Sequence, residues 1–268
     1  EIMSRLKPPY VMGIDVGTSS VKVGIFDLKG KPVVYGTEEY PLYTPNPGWA
    51  EQSAEDWWRA IVSSTRHLLK QNKVDPKDIY CCGISGHSLG VVPLDKYGRL
   101  LKESVPIWSD SRATKQVKRI FQVYDERKWY KITGNGFSPS LYPAFKILWY
   151  KDNQPGLFKK IDKIIGTKDY INFRLTGKIA TDPSYASGSG VWDLKKGGFS
   201  EELLNAMGLT RDIFPDVVSS TAIIGQINKK VAEELGLTPK VHVISGGVDN
   251  SCMALGSKAF KNGRIFNS

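Results

Sequence analysis

The sequence has little of what staples, exports or anchors a chain. Cysteine is scarce, with Cys81, Cys82 and Cys252 the only three in 268 residues. The first two are adjacent in the apolar run IYCCGIS, where strand alternation sends them to opposite faces and keeps them from pairing readily. The odd count and that context argue against a disulfide-framed secreted scaffold and predict reduced thiols in an intracellular, cytoplasmic protein. No Cys/His set has metal-ligand spacing, and no Ser, His and acid stand at a recognisable hydrolase spacing. No apolar run approaches a membrane span, and the opening EIMSRLKPPY carries no signal-peptide core, so no membrane partner is expected. Acids are outnumbered, 27 against 37 basic residues for a formal charge of +10. Yet KQNKVDPK, KQVKR and KKGG lie apart, with no arginine-rich run or interleaved aromatics. That scatter argues against a nucleic-acid groove and for a solvated basic surface, useful for attracting a polyanion such as ATP.

What is present reads as an ordinary globular chain, 41% hydrophobic and 24% charged, able to bury one large core or two small ones. From Tyr10 to Tyr40 the residues alternate as β-structure. VMGIDV, VKVGIFD and PVVYGTEEY are joined by a glycine-rich turn and a Leu28-Lys29-Gly30-Lys31 turn. The first turn joins strand to strand and lacks GK[ST], which disfavours a P-loop. After the proline-rich PLYTPNPGWAEQ, Ser53 and Asp56 suggest a capping box. Trp57, Ile61, Thr65, Leu68 and Leu69 then mark one helical face to about Gln71.

IYCCGISG reads as a buried strand, followed by VVPLD, a Lys96-Tyr97-Gly98 turn and a Pro106-Ile107-Trp108 run. Helices are predicted over 112–123, 125–132, 141–152, 168–175, near 200–207 and at 228–235, with TDPSYASGSGVWD a polar loop. A buried strand VHVIS ends in a glycine turn before a short helix, and GRIFNS starts a fresh strand. Together these predict a mixed α/β domain, its sheet opened by antiparallel hairpins and flanked by helices.

Three constellations carry chemistry. In Asp15-x-Gly17-Thr18-Ser19-Ser20-x-Lys22, turn amides form an anion nest, hydroxyls add donors and lysine adds charge. An acid beside a bare anion would repel it, so Asp15 makes sense if a divalent cation sits between it and a phosphate. The bland alternative is a hairpin turn whose Asp15 and Ser19 bond local backbone. The second is Gly246-Gly247-Val248-Asp249-Asn250, where an acid at the carboxyl end of a buried strand can accept a proton from an attacking hydroxyl. Equally, Asp249 or Asn250 can simply cap the helix that follows. The third, Ser85-Gly86-His87-Ser88-Leu89-Gly90, can meet a polyol through small polar groups, although a lone His at a strand end is more often structural. The tryptophans in GWAEQSAEDWW, PIWSD and KILWY read mostly as core, with sugar stacking on Trp49 or Trp108 an open alternative.

Taken in order, these segments resemble the amino-terminal half of FGGY-family carbohydrate kinases of the xylulokinase and glycerol kinase type. MGIDVGTSSVKVGIFD resembles the family's first phosphate loop, and PGWAEQSAEDWW the segment before its first long helix. CGISGHSLGVVPLD, PIWSDSRA, PSLYPAFKILWYKDN, IIGTKDYINFRLTG, ATDPSYASGS and SGGVDNSCMALG follow in family order. The resemblance covers nearly the whole chain, and all the segments in register are far more specific than any one alone.

It implies a ribonuclease H-like, actin-like fold, in which two domains close over ATP and a sugar or polyol. Residues 1–258 would form the sugar-binding domain and 259–268 the start of the second. By this resemblance Asp249 is the base, Asn250 a sugar contact, and Asp15 the Mg²⁺-side acid acting through water. Gly17, Thr18, Ser19, Ser20 and Lys22 lie near the γ-phosphate. His87, Ser88 and Leu89 fall where the family reads the sugar, with Trp108 and Asp110 in a neighbouring loop. Xylulokinases tend to carry Gln-Met-His and glycerol kinases Gln-Arg-Glu at the tripeptide, and Leu89 cannot make the hydrogen bond of either third residue. A pentulose such as xylulose or ribulose is the favoured acceptor, a homodimer is possible for the whole protein, and the isolated half is expected to be inactive. The rival expectation is a non-catalytic actin-like nucleotide-binding or sugar-sensing module, although no helix-turn-helix is visible.

Overall fold

Alternating buried and half-buried side chains along Tyr10–Val16 (β1) begin a sheet that the next two runs extend. Ser20–Asp27 (β2) and Pro32–Glu39 (β3) pair antiparallel, β1 with β2 and β2 with β3, as the alternation predicts. The structure, a computed structural model, describes residues 9–72 and 74–259. The β2–β3 turn closes because Asp27 Oδ1 accepts the amides of Lys29 and Lys31, each at 2.9 Å. After the short strand Glu51–Ser53 (β4), helix Ala54–Asn72 (α1) buries Trp57, Ile61, Thr65 and Leu68 and packs on β2 and β3. The Asp56 carboxylate is occupied by Arg59 and Tyr43.

Ile79–Gly86 (β5) runs parallel to β1, and Cys81 and Cys82 are free thiols, one half-buried and one buried, as alternation requires. Val92–Leu94 (β6) and Ser104–Pro106 (β7) follow. Thr114–Phe121 (α2), Glu126–Thr133 (α3) and Pro143–Asn153 (α4) fall close to the predicted helices. Asp125 caps α3 by accepting the Arg127 amide at 2.7 Å, and Gly134 ends it at φ +67°. Helix α4 is buried at every position from Pro143 to Tyr150, so it is a core helix without a polar stripe. Pro155–Phe158 (α5), Lys163–Ile165 (β8) and Thr167–Thr176 (α6) come next.

The stretch predicted as a polar loop is instead largely interior. Pro183–Ser187 (α7) and Trp192–Asp193 (β9) lie within it, and Thr181, Asp182, Tyr185, Ala186, Ser189 and Val191 are buried. Its polar groups tolerate burial because they bond one another and Lys168 rather than water. Gly198–Phe199 (β10), Glu201–Met207 (α8), Ile223–Gln226 (β11), Lys229–Leu235 (α9), His242–Val248 (β12) and Asp249–Gly256 (α10) complete the strands and α-helices of the described residues.

The main sheet has the order β11-β12-β5-β1-β2-β3. Strands β1, β5 and β12 are parallel, while β11 pairs antiparallel with β12. One apolar core lies between this sheet and α1, α6 and α9, and a second among α2, α3, α4 and α8. No helix among the described residues is long and apolar enough to cross a membrane. The run GRIFNS and nearly all of the predicted second-domain start, 260–268, lie outside the described residues.

Candidate active site

Sheet register assembles the chemistry. Asp15 on β1 stands opposite Lys22 on β2 and beside Ser85 on β5, and Ser85 stands beside Gly247 on β12. The next row is Val16, Gly86 and Val248, so Gly17, His87 and Asp249 all emerge from the same carboxyl ends. Loops at the carboxyl ends of neighbouring parallel strands are where α/β folds place ligands.

The Asp15 carboxylate accepts from Ser85 Oγ at 3.0 Å and pairs with Lys22 Nζ at 3.5 Å. The loop after β1 is closed by the Gly17 amide on Ser20 O at 3.0 Å. Surrounding side chains then hold it. Tyr40 Oη donates to Gly17 O and Gln52 Nε2 to Thr18 O, both at 2.5 Å, and Trp108 Nε1 donates to Thr18 Oγ1 at 2.8 Å. Ser19 and Lys22 remain exposed, whereas Ser20 is buried at the head of β2 and serves the turn through its carbonyl. Four of the five predicted phosphate-side residues therefore line an accessible, pre-shaped turn, and the Ser20 side chain does not.

Asp249 opens α10 directly after β12, half-buried, with Asn250 exposed beside it. Burial raises the Asp249 carboxyl above its ordinary range, and the Asp15 charge adds to the effect against an opposing pull from Lys22. That coupling brings the two predicted constellations into one electrostatic environment. Asp249 Oδ1 also accepts the Asn250 amide at 2.7 Å, while the helix cap position is Val248, which has no side-chain cap bond.

Beside Val248 lies a cleft of about 550 Å³, whose walls include Ser88, Leu89, Asn135, Phe137, Tyr142 and Ser184. Larger clefts, of about 750 Å³ near Tyr97 and Lys160 and about 790 Å³ near Lys77 and His242, lie away from these strand ends. Leu89 sits at φ +59°, in the left-handed region that a branched side chain rarely enters. Its carbonyl is caught at 3.2 Å by the ammonium of Lys146, which also donates to Ile107 O at 2.6 Å. Lys146 is fully buried in α4, where burial pushes its ammonium down to about 7. It ties the Leu89 loop to the loop that carries Trp108.

Two of the expected sugar contacts are buried in this structure. His87 is 2% exposed and packs edge-on to Trp57, with its ring facing Thr167 Oγ1 at 3.3 Å. Burial, aided by the Lys146 charge, lowers its basicity to about 4, so it is a neutral core histidine. Asp110 is fully buried too, accepting the Ala50 amide at 2.8 Å and both Arg112 Nε and Nη2. Its carboxylate is spent on holding that loop. Trp108 is 41% exposed and available, while Trp49 is committed to Trp149 and to the Arg112 guanidinium 3.8 Å from its ring.

Among the described residues, no three His, Cys, Asp or Glu side chains cluster as a metal cage. The half-buried Asp15 carboxylate beside the Gly17–Ser20 turn would suit Mg²⁺, which is held by one or two carboxylates and keeps several waters.

The sequence matches the FGGY family of carbohydrate kinases, N-terminal domain, over residues 10–256. The chain belongs to this family. Xylulose kinase of Bacillus subtilis (strain 168) is 34% identical over 255 residues, or 95% of this chain and 50% of the relative. Among solved structures, ligand-bound xylulose kinase from Lactobacillus acidophilus aligns with a TM-score of 0.86 at 29% identity, covering 93% of this chain and 50% of the other. Gluconate kinase from the same organism aligns at 0.87 and 29% identity, covering 94% and 50%. The chain thus spans about half the length of the curated relatives it matches.

As in FGGY kinases, the mixed sheet with its flanking helices is an actin-like ATPase fold. Sequence reasoning assigned no role to Asn135 or Ser184 in the cleft wall or to Lys146 behind it, although the last two lie in segments quoted for the family resemblance. The available signal for Lys146 was a lysine inside the otherwise unbroken apolar run of α4, which a buried helix tolerates only with partners.

Proposed function

We propose that this chain is the amino-terminal, acceptor-binding half of an ATP-dependent sugar or polyol kinase. The observation that carries the reading is the strand register that brings Asp15, Lys22 and Asp249 to one end of the sheet, beside a cleft. An anion turn alone would suit any nucleotide-binding module. A carboxylate of raised basicity at the neighbouring strand end adds a group that can take the proton of an acceptor hydroxyl.

Asp249 is the general base, and its raised carboxyl is suited to that task because a stronger base removes a hydroxyl proton more readily. The Thr18–Ser19 turn and Lys22 orient and neutralise the transferred phosphoryl group, held rigid by Tyr40, Gln52 and Trp108. Asp15 would hold Mg²⁺ through water, and the ion would supply charge neutralisation for the ATP phosphates. Ser88, Leu89, Trp108 and Asn250 border the acceptor, with a pentulose such as xylulose or ribulose favoured by the similarity to xylulose kinases. Closure by a second domain would exclude water, which otherwise competes as acceptor.

The test is an ADP-release screen of the full-length kinase over pentuloses, pentitols, gluconate, hexoses, glycerol and erythritol. The Asp249→Asn variant is run alongside on whichever acceptor responds. Turnover with a pentulose, reduced about 10³-fold by Asp249→Asn with little change in acceptor binding, is the expected result. A flat response across all acceptors would overturn the kinase reading, and full activity in Asp249→Asn would overturn the base. The 268-residue chain alone is expected to bind sugar weakly and to turn over negligibly.

A further inference from the structure

Strand β12 is irregular where it approaches Asp249. Its register with β5 shifts between Ile244 and Gly247, leaving Ser245 and Gly246 in a bulge, with Gly246 at φ +70°. A bulge frees backbone groups from the ladder, and here both amides and the Ser245 carbonyl find other partners. The Ser245 amide donates to Ala222 O at 3.0 Å and the Gly246 amide to Ser220 O at 2.9 Å. The Ser245 carbonyl, fully buried, accepts from Asn172 Nδ2 at 2.8 Å and from Lys168 Nζ at 3.3 Å.

Lys168 is itself 1% exposed and lies between two buried carboxylates, Asp169 at 2.5 Å and Asp182 at 3.0 Å. Asp182 is the hub. Its Oδ2 accepts from the Ser184 amide at 2.9 Å, Ser184 Oγ at 2.6 Å and Ser220 Oγ at 2.8 Å. Ser184 Oγ, having donated to Asp182, accepts the Val248 amide at 2.9 Å, one residue before Asp249. Buried ion pairs contribute little net stability compared with apolar packing. This one sends its hydrogen bonds into the single distorted stretch of backbone that aims Asp249.

We infer that Lys168, Asp182 and Ser184 are positioning residues for the Asp249 base, acting through the β12 bulge and the Val248 amide. The inference rests on Asp249 being the base of the proposed kinase. Lys168 and Asp182 keep the Ser184 hydroxyl oriented with its lone pair towards Val248, and Ser184 fixes the first turn of α10. None of the three needs to touch a reacting atom. A base misplaced by about 1 Å loses on the order of 10²-fold in rate.

Steady-state kinetics of the full-length kinase with Ser184→Ala, Ser184→Thr, Asp182→Asn and Asp249→Asn test it. Ser184→Ala is expected to lower kcat by about 10- to 100-fold with the sugar KM within about threefold, and Ser184→Thr, which retains the hydroxyl, to recover most of the loss. Asp182→Asn should follow Ser184→Ala. If Asp182→Asn does not fold, the two Ser184 variants still decide the question. A Ser184→Ala enzyme within about twofold of the parent kcat would overturn the inference. So would a rise in KM at constant kcat, which would make Ser184 a sugar contact, or a loss that Ser184→Thr does not restore. Retention of kcat by Asp249→Asn would instead remove the base assignment on which the relay depends, whatever the Ser184 variants do.

Discussion

Gly246→Ala is the most informative single change because two separate penalties meet at one atom. The residue sits at φ +70°, where an alanine costs about 1–2 kcal/mol over glycine. Its new Cβ would lie 1.9 Å from Ile84 O, 2.9 Å from Ile84 C and 3.1 Å from Ile84 N. No rotamer relieves a contact between two backbones, so β12 must move away from β5 by more than about 1 Å. That movement strains the bonds of Ser245 O to Lys168 and Asn172, and a buried carbonyl left unsatisfied costs about 1–3 kcal/mol. The expected loss is about 4 kcal/mol or more, in the range that single mutations seldom reach. Gly177→Ala is the matched control. Gly177 has φ +72° at the end of α6 but no atom within 4 Å of a built Cβ, so it carries the conformational penalty alone. Equilibrium urea unfolding of both variants should separate them by about 3 kcal/mol. Midpoints shifted equally, to within about 1 kcal/mol, would refute the close approach of β12 to β5 at the bulge.

Two further outcomes follow from the buried polar groups. His87 titrates near 6.5 when unfolded but only near 4 in the fold, so the unfolded chain binds more protons between those values. Its contribution is complete above about 6.5 and drains away as pH falls to about 4, amounting to about 3 kcal/mol. His87→Gln should therefore flatten the pH dependence of stability in that window, and an unchanged slope would show that His87 is not buried neutral. Asp110→Asn leaves the Arg112 guanidinium, whose side chain has no exposure, with Glu51 as its remaining carboxylate at 2.6 Å. A loss of about 3 kcal/mol in thermal or urea unfolding is expected, because one partner of a buried pair has been removed. A change under about 0.5 kcal/mol would contradict the placement of this ion pair in the interior.

Much of the architecture was legible from periodicity. The hairpins of β1 to β3 alternate with period two, and α1 carries its buried face at helical spacing, so local pattern sufficed. It failed in the stretch from Thr181 to Asp193, where serines, glycines and aspartate read as a loop but bury themselves by bonding Lys168 and one another. Composition reports polarity, not whether a partner from another segment will arrive. The burial of His87 and Asp110 was equally out of view. Both sit in motifs next to the predicted site, yet Thr167 and Trp57 enclose the first and Arg112 neutralises the second.

Asp15, Lys22 and Asp249 could be singled out from the sequence because acids and a lysine beside glycines at strand ends suit ligand chemistry as well as turns and caps. Their relation could not. Asp15 and Asp249 are separated by most of the chain and become neighbours only because β12 crosses over to lie parallel beside β5, itself parallel beside β1. The aim of Asp249 was still further from view, since it depends on a bulge whose hydrogen-bond partners come from α6, α7 and the Ser220 turn. Local sequence determines which groups can bind phosphate or take a proton. Long-range strand pairing decides which of them face one another, because that outcome is set by burying a shared sheet face and not by any short stretch of residues.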